Sequence, residues 1–146
     1  MLRAMSYRLT AALMICATLS LGCNALGIGP ATCSRPETDE PRPYKGGFID
    51  GDTYMSADWS EELLHFPGGA YYDIFHELGE RPNGVQFYLS FNDDGVTDGD
   101  SLTQAAGNQV ELRFIDEEKL TVLNGTCAEY YLLVIAWVDR SSGSGI

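Results

Sequence analysis

Tyr130-Tyr131-Leu132-Leu133-Val134-Ile135-Ala136-Trp137-Val138 is the stretch that decides the fold. It is apolar throughout and carries no charge. A run of this length and character reads as a central β-strand buried on both faces. Working outward, Val85-Gln86-Phe87-Tyr88-Leu89-Ser90-Phe91 has the period of two that marks a strand with one dry face, and places Val85, Phe87, Leu89 and Phe91 together. Val110-Glu111-Leu112-Arg113-Phe114 repeats the alternation, with Val110, Leu112 and Phe114 directed inward. Residues 71–78 alternate less cleanly, with Tyr72, Ile74, His76 and Leu78 on one side, and Lys119–Leu123 is a short β-branched run.

The punctuation between these runs is turn chemistry. Asn83-Gly84 and Asn124-Gly125 are pairs suited to tight hairpins, and Asp116-Glu117-Glu118 is a charged turn. The C-terminal half is therefore expected to be an antiparallel meander. Short helical turns are expected at residues 60–66 and 101–106, the second with Ser101 as its cap and Gly107 as its stop. About seven short strands with frequent turns predict a small all-β domain. The expected form is an antiparallel β-sandwich, immunoglobulin-like or transthyretin-like, with a small β-barrel as the alternative.

Polar clusters were weighed for chemistry. Asn92, Asp93, Asp94, Asp98 and Asp100 place five oxygen-bearing side chains within nine residues, among glycines. Calcium takes six to eight such oxygens from a flexible loop. The regular spacing of a helix–loop–helix calcium site is missing, so calcium is a candidate cofactor here and a solvated turn is the plainer reading. His76-Glu77-Leu78-Gly79-Glu80 begins like a zinc-protease helix, but Glu80 stands where the second histidine is required. His65 and His76 are expected to be structural. No Gly-x-Ser-x-Gly elbow or glycine-rich phosphate loop is present, and no catalytic residue is assigned. Tyr71 and Tyr88 fall on outward faces, where tyrosines serve recognition or simply suit a half-covered strand.

The N-terminus carries an address. Arg3 and Arg8 precede a 13-residue apolar run, residues 9–21, followed by Gly22 and Cys23. A basic segment, a short apolar segment and a small residue make a cleavable signal peptide, and the run is too short to span a bilayer. Ser20-Leu21-Gly22-Cys23 resembles the lipobox of bacterial lipoprotein precursors, with Ser20 where that family prefers leucine. The resemblance covers residues 1–23 alone. It implies cleavage before Cys23, a diacylglycerol on the Cys23 sulfur and an acyl group on the new amino terminus. Asn24 is not the aspartate that resembles an inner-membrane retention signal, so the resemblance points to the outer of two membranes.

Cysteine arithmetic agrees with this address. Cys16 leaves with the leader and Cys23 takes the lipid, which leaves Cys33 and Cys127 as an even pair in an oxidising compartment. A bridge between them would close a loop of about 95 residues, worth up to ~4–5 kcal/mol by chain entropy. The expected organisation is a signal peptide at 1–22, a lipidated tether and proline-rich arm at 23–43, a β-sandwich at 44–140 and a flexible tail at 141–146. Loss of the leader removes two arginines and no acid, leaving seven basic against twenty-one acidic side chains, a net charge of −14. Such a surface repels a phosphate backbone, so nucleic acid is excluded as a partner.

The functional expectation is a non-enzymatic envelope lipoprotein that reaches the membrane through its lipid. Its partner would be an envelope protein, a glycan or a cationic ligand. The alternatives are an inhibitor of a basic secreted enzyme such as lysozyme and a calcium-dependent hydrolase using the carboxylates of 93–100.

Overall fold

A computed structural model describes residues 40–97 and 101–140. Ten strands are found among them. They are β1 (Arg42–Tyr44), β2 (Phe48–Asp50), β3 (Thr53–Met55), β4 (Leu64–Phe66), β5 (Tyr71–Phe75), β6 (Gly84–Ser90), β7 (Thr103–Gln104), β8 (Glu111–Ile115), β9 (Lys119–Leu123) and β10 (Tyr130–Trp137). They form a four-stranded sheet in the order β1-β5-β9-β8 and a six-stranded sheet in the order β2-β3-β10-β6-β7, with β4 also on β10. Neither sheet closes on itself, so the architecture is a β-sandwich and not a barrel. Among the described residues no helix is long and apolar enough to cross a membrane.

β10 is the central strand that its sequence announces. It pairs with β6 along one edge and with β4 and then β3 along the other. Leu132, Val134 and Ala136 point into the core between the sheets, opposite Leu89, Phe87 and Val85 of β6. Leu133 points the other way, into a second apolar cluster with Ala57 and Leu63. The second face is covered at Leu133 because the segment after β3 folds back over it, while Tyr131, Ile135 and Trp137 stay partly exposed. Each fully covered Leu or Val contributes about 1.5–3 kcal/mol, which explains why no polar residue interrupts the strand.

The facing sheet supplies Ile74, Leu120 and Val122, all fully buried in the same core. Its outward side is polar at the centre. Asp73 accepts a hydrogen bond from Thr121 Oγ1 and an ion pair from Lys119, and Lys119 also lies over the Phe75 ring. β1 joins this sheet parallel to β5 and includes Arg42 and Pro43 of the expected arm. Proline is tolerated there because β1 is an edge.

Several expectations are corrected. In β6 the alternation carries Val85, Phe87 and Leu89 to the core, but Phe91 lies past the strand end and is 77% exposed. In β8 a register shift falls between Leu112 and Phe114. Leu112 opposes the inward Val122, whereas Phe114 opposes the outward Thr121. One inserted residue reverses every side chain beyond it, so Phe114 leaves the face assigned to it. Leu112 keeps that face but sits at the sheet edge, 42% exposed. Residues 60–66 form no helical turn and end in β4; residues 101–106 hold β7, and a 3₁₀ turn follows at Gly107–Gln109.

The two Asn-Gly pairs are not hairpin turns. β5 and β6 lie in different sheets, as do β9 and β10, so each connection crosses the sandwich. The expected meander is thus reduced to two separate antiparallel pairs, β6–β7 and the β8–β9 hairpin. Gly84 opens β6 flat against Trp137, where an added Cβ would come 2.1 Å from the indole. Asn124 is 1% exposed and acts as a hub. Its amide nitrogen donates to the Phe66 and Ala128 carbonyls, and its Oδ1 accepts from the Thr126 N–H and hydroxyl. Four hydrogen bonds at one buried amide replace the turn geometry that sequence assigned to it.

Candidate functional site: a charged-rim cleft beside β2

Two glycines and an edge strand shape a cleft at the margin of the six-stranded sheet. The chain leaves β1, passes Lys45-Gly46-Gly47 and returns as β2 at the margin of the six-stranded sheet. Tyr54 of β3 donates its hydroxyl to the Gly46 carbonyl at 2.8 Å. Gly47 has φ +98, and a Cβ there would stand 2.4 Å from the Met55 carbonyl. The loop is therefore pinned close to β3, and a cleft of about 190 Å³ opens between it and the end of β5.

Phe48 and Ile49 of β2 both line it, their side chains on opposite faces of that strand, and are 40% and 44% exposed. Phe75, the last residue of β5, forms a wall, with the Lys45 ammonium 5.3 Å from its ring centroid. Glu77 stands at the lip with φ 52, the left-handed region that costs a non-glycine residue about 1 kcal/mol. It is the single non-glycine residue in that region among those described. The Tyr54 hydroxyl is pushed far above its ordinary range, by burial first and then by electrostatic repulsion between its ionised form and those of Tyr44 and Glu77.

His76 forms the back of the cleft and is fully buried. Its Nε2 donates to the Asp116 carbonyl at 3.2 Å, and its Nδ1 accepts from the Leu78 N–H at 3.2 Å. These partners fix the neutral Nε2–H tautomer. Burial lowers its pKa, and the hydrogen bond to the Asp116 carbonyl opposes that in part. With both nitrogens engaged, His76 has no lone pair to offer a metal or a substrate. His65 is exposed on β4, 2.7 Å from Glu129. The histidines therefore lie apart in role as well as in place.

The other sequence candidates are placed as follows. Asp93 is exposed and uses its carbonyl to accept the Leu63 N–H at 2.7 Å. Asp94 Oδ1 is buried without a hydrogen-bond partner, and Asn92 is engaged. Asp98 and Asp100 lie outside the described residues. Among the described residues no three His, Cys, Asp or Glu side chains are grouped closely enough to hold a metal ion. Cys23 and Cys33 also lie outside the described residues, and Cys127 is not a free thiol. Tyr88 is half-covered by Trp59, with ring centroids 5.1 Å apart.

A second, more open concavity of about 390 Å³ follows the free edge of β8, between Arg81 and Leu112, Phe114 and Ile115. Arg113 there is paired with Glu111, and the bulge at this point twists the edge away from further strand pairing.

Compared with protein-family models, curated proteins and solved structures, the chain matches none of them. Sequence reasoning missed the cleft. Its signal was the Gly46-Gly47 pair followed by two large apolar residues, a sequence that reads equally well as an ordinary loop and strand.

Proposed function

We propose that this protein is an exported, lipid-anchored module of the cell envelope whose β-sandwich binds a small amphipathic ligand without transforming it. The cleft beside β2 carries the binding part of this reading. Charged side chains of opposite sign, Lys45 and Glu77, line it beside large apolar residues that solvent reaches. Clefts that bring polar groups together beside aromatic side chains are common places for ligands to bind. The anchoring part rests on the leader and on Cys23. Two acyl chains hold a protein on a membrane durably, since each buried methylene adds ~0.8 kcal/mol.

The Cys33–Cys127 bridge belongs to the same reading, because an oxidising compartment would join the pair. Cys127 sits against Gly68, where a Cβ would come 2.8 Å from it. The bridge would therefore tie the start of the arm beside the loop between β4 and β5.

Fractionation of cells expressing the natural chain and Cys23→Ser tests the anchor. The natural protein is expected in the membrane fraction and labelled by radioactive palmitate, and the variant soluble and unlabelled. Recovery of Cys23→Ser unchanged in the membranes would overturn the anchor.

A further inference from the structure

Trp137 is the last residue of β10, and its side chain faces away from the core that holds Ala136 and Val138. On the two neighbouring strands it is directly opposed by Gly84 of β6 and Thr53 of β3. A Cβ placed on Gly84 would stand 2.1 Å from Cζ2 of the indole and 2.5 and 2.6 Å from the two ring atoms beside it. Distances so nearly equal put that point straight above the ring and not beyond its rim. The indole therefore lies flat on the bare backbone of Gly84, with its other face turned away from the sheet. Nothing in the described fold claims that other face. Trp137 is partly exposed and belongs to neither apolar cluster. Among the described residues no aromatic ring or cation is set on the indole, and its Nε1–H has no hydrogen-bond partner. Trp59, by contrast, is packed edge-on against Tyr88.

Hydrogen-bonding side chains flank this platform. Directly paired strand residues share a face, with Cβ atoms ~5 Å apart. Thr53 is thus beside Trp137, and Asp50, which pairs with Thr53, comes next across the sheet. Asp50 is exposed and enters none of the ion pairs among the described residues. On the other side Gln86 pairs with Ile135, one step before Trp137 on the same face. Gln86 Oε1 accepts the Tyr88 hydroxyl at 3.1 Å, which leaves its amide N–H groups to donate outward. We infer that this patch is a second binding site, on the outer face of the six-stranded sheet and separate from the cleft, and that it takes a neutral sugar stacked by the C–H face of one pyranose ring on Trp137.

The mixture of groups selects the ligand. A sugar ring has a flat apolar face and a rim of hydroxyls that both donate and accept. The patch offers a flat aromatic face, donors in Gln86 and the indole N–H, an acceptor in Asp50 and a hydroxyl in Thr53 that does either. A cation would gain the indole face and Asp50, but it brings donors alone and would meet the N–H groups of Gln86 and Trp137. An anion would meet Asp50 and a mature net charge of −14. A second copy of the chain would set that same acidic surface against itself. A neutral polyol satisfies every group at once.

The test is fluorescence titration of the purified mature chain carrying Trp59→Phe, in which Trp137 is the one indole left. Cellotetraose, maltotetraose and the tetramer of N-acetylglucosamine are the neutral probes; tetragalacturonate and tetramethylammonium are the charged comparisons. At least one neutral probe should give a saturable blue shift of Trp137 emission, and neither charged compound should. Calorimetry with that sugar then reads the variants. Trp137→Leu should weaken it about tenfold, the upper worth of one aromatic contact, and Trp137→Tyr should keep most of the affinity. Gln86→Ala should weaken it about threefold, the worth of one hydrogen bond, and its surface position keeps the fold intact.

No response to any of the neutral probes, an equal response to either charged compound, or an affinity unchanged in both Trp137→Leu and Gln86→Ala would overturn the inference. So would a dimer in sedimentation that Trp137→Leu dissociates, which would give the face to a second copy. None of these results bears on the cleft, or on the membrane anchor, which Cys23→Ser tests alone.

Discussion

Replacing Asn124 by alanine should come close to unfolding this domain. The Asn124 side chain makes four hydrogen bonds in a site 1% exposed. A hydrogen bond contributes about 0.5–1.5 kcal/mol net, and a buried carbonyl left without a donor costs about 1–3 kcal/mol. The alanine variant orphans the Phe66 and Ala128 carbonyls, and water is the only substitute for them. A loss of roughly 4 kcal/mol follows, against a total stability of about 5–15 kcal/mol for a domain. Urea unfolding followed by the fluorescence of Trp59 and Trp137 measures it. Thr126→Val provides the cross-check, because it removes one of the four bonds together with the bond from the Ala128 N–H to Thr126. It should cost about 1–2 kcal/mol. The double variant should show a coupling of about 0.5–3 kcal/mol between the two sites. A loss below about 1.5 kcal/mol for Asn124→Ala, with no coupling, would refute the hub.

Three further outcomes are expected. The folded state holds His76 below its ordinary pKa of about 6.5, so between those two values the unfolded chain binds the extra proton and stability falls as pH falls. The urea midpoint should be flat from pH 8 to 7 and drop on going to pH 5, by at most about 1.4 kcal/mol per pH unit for this one group; His76→Gln should remove that slope. Asp116, which accepts the Glu118 and Lys119 N–H groups, has its pKa lowered and adds a loss only at more acidic pH. Gly84→Ala should cost about 1–3 kcal/mol or more, because its methyl enters the Trp137 ring, and a shift in Trp137 emission should accompany it. Glu77→Gly should stabilise the fold by about 0.5–1 kcal/mol by relieving the left-handed backbone, read as a higher urea midpoint.

Sequence made the sandwich legible where burial alone decides a strand. The run at 130–138 reads as the centre of a sheet, and it is: its core face is dry, while on the other face Leu133 is buried and Tyr131, Ile135 and Trp137 are partly covered. Alternation worked in β6 because that strand pairs with β10 in unbroken register from Gly84 to Ser90. It failed at Phe114 because a bulge is one residue in one strand, and nothing in Leu112-Arg113-Phe114 distinguishes a bulge from straight alternation. The Asn-Gly pairs misled for a related reason. Both residue types suit tight turns, yet here Asn124 was kept for its amide and Gly84 for its missing side chain. The cleft was illegible because Lys45, Phe48 and Glu77 are brought together by pairing in two different sheets.

The position of β10 in the chain governs the order in which the molecule can be made. The last strand of the sequence is the keystone of the larger sheet, contacted by β3, β4 and β6, none of which completes that sheet without it. A chain delivered N-terminus first therefore cannot close the sandwich until residue 137 has emerged. Until then only the four-stranded sheet, whose strands all precede β10, has every partner it needs. Pairings this distant in sequence also set the pace, on the order of milliseconds to seconds after release. Late placement of the keystone thus leaves the larger sheet unfinished until nearly all of the described chain is available to it.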